Sequence, residues 1–307
     1  MTGQIVEITK PGYELRKKHG FLEVSGKSGI VGSIALDDIE SVIVSVPGCM
    51  ISTVLYDQLS KRNIPLVISG ENFLPTNITF PVEGYGRQFK VMRAQIDMSV
   101  PRRKRAWQKI VRSKIRNQAT VIQHIGGDWK QLERLSKSVR SGDPVNCEAQ
   151  AAKIYWKKLF GNTFKRDRKS RGLNSAINYT YTIMRGCVAR GSGSAGLHPS
   201  FSIHHKNPQN PLNLVDDLIE PFRPIADYYI WTNSEFDFEE LTTEHKEVFA
   251  KVINLRIRLR YEDEFSEESP LSIAAAKMCK SFANYCETES EDIQLPDVPD
   301  PLTIQNI

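Results

Sequence analysis

The chain has 307 residues, of which 40% are hydrophobic and 25% charged, and its formal net charge is +5. That balance is typical of a soluble globular protein with room for one large domain or two ordinary ones, and it excludes a disordered chain. With no run of about eighteen apolar residues a helical membrane span is excluded as well, and the N-terminal MTGQIVEITKPGYELRKK has no signal-peptide core, so a cytoplasmic location is expected.

Residues 1–85 are expected to form a small β-rich domain. Segments 4–9, 20–24, 29–35 and 41–46 are short, rich in Val and Ile, and separated by Gly, Pro or Asp. Within 51–62, Val54, Leu55 and Leu59 fall at helical spacing, and 65–69 reads as a further strand. Composition shifts near Tyr85, and residues 86–287 are expected to be a larger, all-α domain. The fold class predicted is α+β in two domains. Residues 87–99 lead to a long helix from Pro101, in which Ala106, Ile110, Ile115, Val121, Ile122 and Ile125 keep the helical period until Gly126 and Gly127. Further helices are predicted over 148–160, 173–190, 212–231 (kinked at Pro221 and Pro224), 239–260 and 271–286. Residues 288–307 are acidic and Pro-bearing, and are expected to be a mobile tail or a strand ordered by a partner.

The mild total charge hides a strong asymmetry. Residues 1–86 carry net −2, residues 87–140 net +12, residues 153–190 net +9 and residues 214–307 net −13. Lys and Arg at this density attract a polyanion by releasing its counterions, which points to nucleic acid. Arg102, Arg103, Lys104, Arg105, Lys109, Arg112, Lys114 and Arg116 are placed on exposed faces of the long helix. A solvated helix surface is the plain alternative for such a block. The five cysteines, Cys49, Cys147, Cys187, Cys279 and Cys286, are scattered without a CxxC pair, so neither a disulfide framework nor a cysteine zinc site is expected.

Three places carry groups that a hard divalent ion needs. Glu148 opens a helix after the turn-forming Gly142-Asp143-Pro144. GLHPSFSIHHKNPQNP holds His198, His204 and His205, and NLVDDLIEPFRP holds Asp216, Asp217 and Glu220. His204 and His205, as neighbours in an extended segment, point opposite ways, so one at most faces a given site. Asp216 also suits a helix N-terminus, and Glu220 also suits an ion pair with Arg223. Carboxylate and imidazole ligands suit Mg²⁺ or Mn²⁺, and the imidazole favours Mn²⁺. Beside a basic surface such an ion serves in-line phosphoryl transfer.

The set E148AQAAKIYW, R171GLNSAINYTYTIMR, G196LHPSFSIHH and D217LIEPFRP resembles the CRISPR-associated integrases that insert new spacers, above all those of type II systems. The DLxEPFRP block and the Asn174, Asn178, Tyr179, Tyr181 stretch are its specific parts. The resemblance implies a metal triad of Glu148, His205 and Glu220, with Asp217 as an accessory ligand. Ser202 and Ile203 stand where the family has Gly-Phe, so the histidine is counted from Pro199, which gives His205. It further implies a homodimer joined largely through the β domain, and a small ferredoxin-like subunit assembled with it around a short DNA duplex. The reaction implied is attack of a DNA 3′-hydroxyl on a phosphodiester at the repeat boundary. Arg102, Arg103, Lys104, Arg105, Lys109, Arg112, Lys165, Arg166 and Arg168 are then the charges expected to meet phosphate. Two other readings use the same residues: a stand-alone metal-dependent nuclease, with water as nucleophile, and a non-catalytic nucleic-acid-binding scaffold.

Overall fold

The computed structural model describes residues 4–62, 64, 66–69, 75–79, 86–167, 170–233, 240–261, 264–288 and 292–304. Its N-terminal part contains β1 (Gln4–Ile8), β2 (Glu14–Lys18), β3 (Phe21–Gly26), β4 (Gly29–Ala35), β5 (Ile39–Val44), β6 (Met50–Ile51), α1 (Thr53–Lys61), β7 (Leu66–Ser69) and β8 (Pro75–Thr79). One sheet has the order β1-β5-β7-β8, parallel except for the last pair. The other has the order β4-β3-β2-β6. Leu15, Leu22, Val42, Val44, Leu55, Leu59 and Leu66 meet in one core. Ile43 and Val67 point to the opposite face of the parallel sheet and are buried as well, as expected of parallel strands covered on both sides.

The helical part comprises α2 (Gly86–Asp97), α3 (Val100–His124), α4 (Lys130–Ser138), α5 (Cys147–Phe160), α6 (Leu173–Ser194), α7 (Asn213–Leu218), a 3₁₀ turn at Glu220–Phe222, α8 (Arg223–Asn233), α9 (Thr243–Ala250) and α10 (Leu271–Glu287). It has its own large core, which includes Trp107, Ile110, Tyr155, Phe222 and Phe282. Helix α6 runs through this core and also meets β5, β7 and β8. Across that junction Arg190 of α6, with a side chain only 5% exposed, pairs with Glu7 of β1 at 3.0 Å. Gly191 permits close contact with α10, since a Cβ there would lie 2.9 Å from the Ala276 Cα.

Two regions differ from the sequence reading. The helix predicted over 239–260 ends early: α9 passes through a 3₁₀ turn at Lys251–Asn254 into the short strands β9 (Arg256–Ile257) and β10 (Leu259–Tyr261). Leu255, Ile257 and Leu259 are buried while Arg256 and Arg258 are exposed, a period of two that only extended backbone satisfies. The hairpin partner is β11 (Glu264–Phe265), and β12 (Ser269–Pro270) pairs with β9.

The C-terminal stretch, expected to be a mobile tail or a strand ordered by a partner, is docked on the helical core over residues 292–304. Strand β13 (Leu295–Pro296) pairs with β10 and is followed by α11 (Pro301–Ile304). Ile293, Leu295, Val298 and Ile304 are buried. The acidic residues complement cationic neighbours: Asp292 lies 3.4 Å from Lys109, and Asp297 lies 3.0 Å from Arg260. Among the described residues no helix is long and apolar enough to cross a membrane.

Candidate active site

Glu148 is fixed by the way its helix begins. Asp143 and Asn146 both adopt positive φ, a conformation Asp and Asn tolerate better than other side chains. The Asp143 carboxylate accepts from the amides of Cys147 (2.8 Å) and Glu148 (3.0 Å), and the Asn146 side chain accepts from Ala149 at 3.1 Å. These bonds satisfy amides that the first turn of α5 cannot pair internally.

Glu220 lies on the 3₁₀ turn between α7 and α8, where Pro221 interrupts regular helix. Buried Asn117 of α3 donates to the Pro221 carbonyl and to the Pro296 carbonyl, both at 2.9 Å. The turn is thereby held against α3, one helical turn beyond Lys114. The Lys114 ammonium sits between the two glutamates, 2.6 Å from Glu148 Oε1 and 2.5 Å from Glu220 Oε2. Arg223 approaches the other Glu220 oxygen at 3.2 Å. Glu220 Oε2 accepts no hydrogen bond of good geometry, so its contact with Lys114 is ionic. Burial alone would raise the Glu220 carboxyl, but Arg223 and Lys114 outweigh it and hold it below its ordinary value. The same balance keeps Lys114 charged, because Glu220 and Glu148 outweigh the burial that opposes its charge.

The two histidines part company as their spacing requires. His204 stacks on Trp107, with ring centroids 4.2 Å apart and planes nearly parallel. His205 turns the other way, and its Nδ1 bonds Asp217 Oδ1 at 2.6 Å. That bond is the first cause raising the His205 pKa. Asp217 has no exposed side-chain surface and also accepts from the backbone amides of Ile203 (2.6 Å), His204 (2.9 Å) and His205 (3.1 Å). It is therefore saturated. Its bond to Nδ1 leaves Nε2 as the His205 nitrogen that Asp217 does not hold. Asp216 is likewise engaged, by Arg185 at 2.6 Å and 2.9 Å. His198 lies apart from these groups, in a loop tied to Gln95 of α2.

His205, Glu220, Arg166, Arg185 and Arg223 line one cleft of about 550 Å³. Over residues 6–248 the sequence matches the family described as CRISPR associated protein Cas1. It is 34% identical over 292 residues to the CRISPR-associated endonuclease Cas1 of Neisseria meningitidis serogroup C (strain 8013), with 92% of each chain covered. The chain belongs to the Cas1 family.

Two solved structures share the fold of this Cas1-family chain at low identity. A partial Cas6-RT-Cas1–Cas2 complex superposes with a TM-score of 0.73 at 15% identity, covering 94% of this chain and 97% of that one. A casposase bound to its integration product gives 0.67 at 18% identity, covering 95% and 97%.

As placed, no three His, Cys, Asp or Glu side chains among the described residues stand close enough to hold an ion together. The chemistry of the donors nevertheless fits one. Glu148 and Glu220 already enclose a cation, the Lys114 ammonium, and His205, its Nδ1 taken by Asp217, lines the adjoining cleft. Two carboxylate oxygens and an imidazole suit Mg²⁺ or Mn²⁺.

The basic residues divide into those facing outward and those spent on structure. Arg102 donates to the Tyr285 and Thr288 carbonyls at the end of α10 and lies over the Tyr285 ring. Arg103 donates to the Ile96 carbonyl, Arg112 to the Val139 carbonyl, and Lys109 pairs with Asp292. Lys104, Arg105 and Lys165 are exposed. Arg166 is held in the cleft by Asn174 (3.0 Å) and Asn178 (2.7 Å). Arg168 lies outside the described residues. The sequence reading missed a second basic groove, where Lys137 and Arg140 join Arg105 and Arg112. It also placed Lys114 on an exposed face, although Lys114 is buried.

Beneath the cleft Asp227 is buried and accepts from the Tyr181 hydroxyl at 2.7 Å. Burial raises its pKa from 3.8 to about 7, against the Tyr181 hydrogen bond, which lowers it. An acid raised in the folded state binds its proton there while the unfolded chain has lost it, so stability falls as pH rises from about 4 to about 7. The rise from 3.8 to about 7 caps that loss at about 4 kcal/mol. Urea denaturation of Asp227→Asn across this range is expected to show a flatter pH dependence than wild type. An unchanged slope would assign the dependence to other groups.

Proposed function

We propose that this Cas1-family chain is a divalent-metal-dependent DNA integrase and endonuclease that inserts short DNA segments into a CRISPR array. The observation that carries the reading is the convergence of Glu148 and Glu220 on one cation beside a cleft holding His205 and three guanidinium groups. The names of the relatives support it, since one is an endonuclease and one structural neighbour is bound to an integration product.

In the reaction proposed, the 3′-oxygen of the incoming strand bonds to a target phosphorus as the bond to the departing 3′-oxygen breaks. One phosphodiester replaces another, and the proton lost by the attacking hydroxyl is matched by the one gained by the leaving oxygen. Mg²⁺ or Mn²⁺ held by Glu148, Glu220 and His205 would supply Lewis acidity and charge compensation to that displacement. Asp217 fixes the His205 ring and tautomer. Arg166, Arg185 and Arg223 present positive charge where the phosphate oxygens lie. Water as nucleophile uses the same groups and gives nicking.

The partners proposed are a second copy of this chain, DNA, and the small ferredoxin-like adaptation subunit. A structural neighbour is a Cas1–Cas2 complex, and the exposed Ile30 and Val31 of β4 and Met50 of β6 offer apolar surface on the N-terminal domain. The test supplies the chain and its partner subunit with a short duplex bearing free 3′-OH ends, a supercoiled repeat target and Mn²⁺. Covalent joining supports integration, nicking without joining supports a nuclease, and a mobility shift without products supports a scaffold.

DNA retention should separate the two kinds of basic residue. Reversing Lys104 and Arg105 together to Glu is expected to weaken binding and reduce the slope of log affinity against log salt by about 2. Arg102→Glu is expected instead to lower the melting temperature, because Arg102 caps α10. Equal salt slopes in wild type and the double variant would remove Lys104 and Arg105 from the DNA surface.

A further inference from the structure

Lys114 places a charge in the buried face of α3. It follows Ile110 by four residues and Trp107 by seven, both buried, and its own side chain is 10% exposed. A buried ammonium persists only where carboxylates hold it. Here two do so, from separate elements, at 2.6 Å and 2.5 Å. They are the carboxylates assigned above to a divalent ion, and ammonium and ion cannot share one gap.

We infer that Lys114 is a resident counter-cation of the centre, which holds Glu148 and Glu220 together before a divalent ion arrives and yields its place when one binds. The inference rests on the ion-binding reading of those glutamates. Charge supports it. Without the ion, Lys114 and Arg223 balance Glu148 and Glu220. An added dication leaves an excess of positive charge beside the cleft, which the single negative charge of an entering phosphodiester offsets in part. Ion and DNA therefore bind with positive coupling, and the displaced Lys114 charge contributes to it. Lys114 acts through the glutamates and is a positioning residue.

Mn²⁺ binding to the full chain, measured by calorimetry without DNA, tests this directly. Lys114→Met keeps an unbranched side chain one atom shorter and removes its charge. It is expected to bind Mn²⁺ at least about tenfold more tightly than wild type, since no internal cation competes. A short duplex is expected to raise Mn²⁺ affinity more in wild type than in the variant. In chelator Lys114→Met should melt below wild type, and Mn²⁺ should restore it. Lys114→Arg, which keeps a cation in place, should bind Mn²⁺ no more tightly than wild type. Equal or weaker Mn²⁺ binding by Lys114→Met overturns the inference, as does a variant whose folding Mn²⁺ does not restore. If wild type binds no Mn²⁺, or Glu148→Gln and Glu220→Gln bind it unchanged, the ion-binding reading itself fails.

Discussion

Glu220→Gln is expected to lower the single-turnover rate of strand joining at least about a thousandfold, equivalent to about 4 kcal/mol of barrier. Gln preserves the volume of a side chain that is only 4% exposed, so the core is not opened. What is removed is the negative charge on which Lys114 and Arg223 converge, and with it one hard oxygen ligand of the proposed ion. DNA retention measured in chelator is expected to be no weaker than in wild type, because the exchange removes a negative charge beside Arg223 and leaves Lys104 and Arg105 in place. His205→Ala should fall in the same class. His204→Ala should not, because His204 is stacked on Trp107 and its ring is turned away from Asp217. Joining by Glu220→Gln at the wild-type rate would remove Glu220 from the catalytic centre.

The second large effect is expected at Asp217. Its carboxylate accepts four hydrogen bonds, three from successive backbone amides and one from His205 Nδ1. An Asn oxygen can serve about two of these, while its amino group faces donors it cannot accept from. Buried unsatisfied amides and the lost charge should cost Asp217→Asn at least about 3 kcal/mol in chemical denaturation. With His205 no longer held in one tautomer, Mn²⁺ affinity should fall by about 10–100-fold. A variant as stable as wild type, with unchanged Mn²⁺ affinity, would show that Asp217 neither anchors the loop nor orients the ring.

The sequence made much of this fold legible, and the misses have physical causes. Strands such as β4 and β5 announce themselves through runs of Val and Ile, and the kink before α8 through Pro221 and Pro224. Strand β2 did not, because ELRKK has one apolar residue, Leu15, which is nonetheless fully buried. The break after α9 was readable in the alternation of Leu255, Ile257 and Leu259 with arginines, but helical propensity masked it. The acidic C-terminal composition suggested mobility because the charges it complements lie far away in sequence, on Lys109 and Arg260.

The site was legible in parts. Glu148 and Glu220 are brought to one cation, and His205 and Glu220 to one cleft. Lys114 was hidden inside a basic run whose other members suggested a solvated face. Its register with Trp107, Ile110 and Asn117 was the available signal, since it places a charge in a buried stripe. The resemblance offered Asp217 as an accessory ligand, and a motif does not tell a coordinating carboxylate from one that holds a histidine. Only the loop conformation, which delivers three amides to it, separates the two roles.

The most direct test of the account is the anomalous scattering of Mn²⁺ in crystals of the full chain. A peak bound by Glu148, Glu220 and His205 Nε2, with Lys114 withdrawn from between the glutamates, is the predicted result. Saturating Mn²⁺ that leaves the ammonium in place and no peak at those three side chains would contradict it.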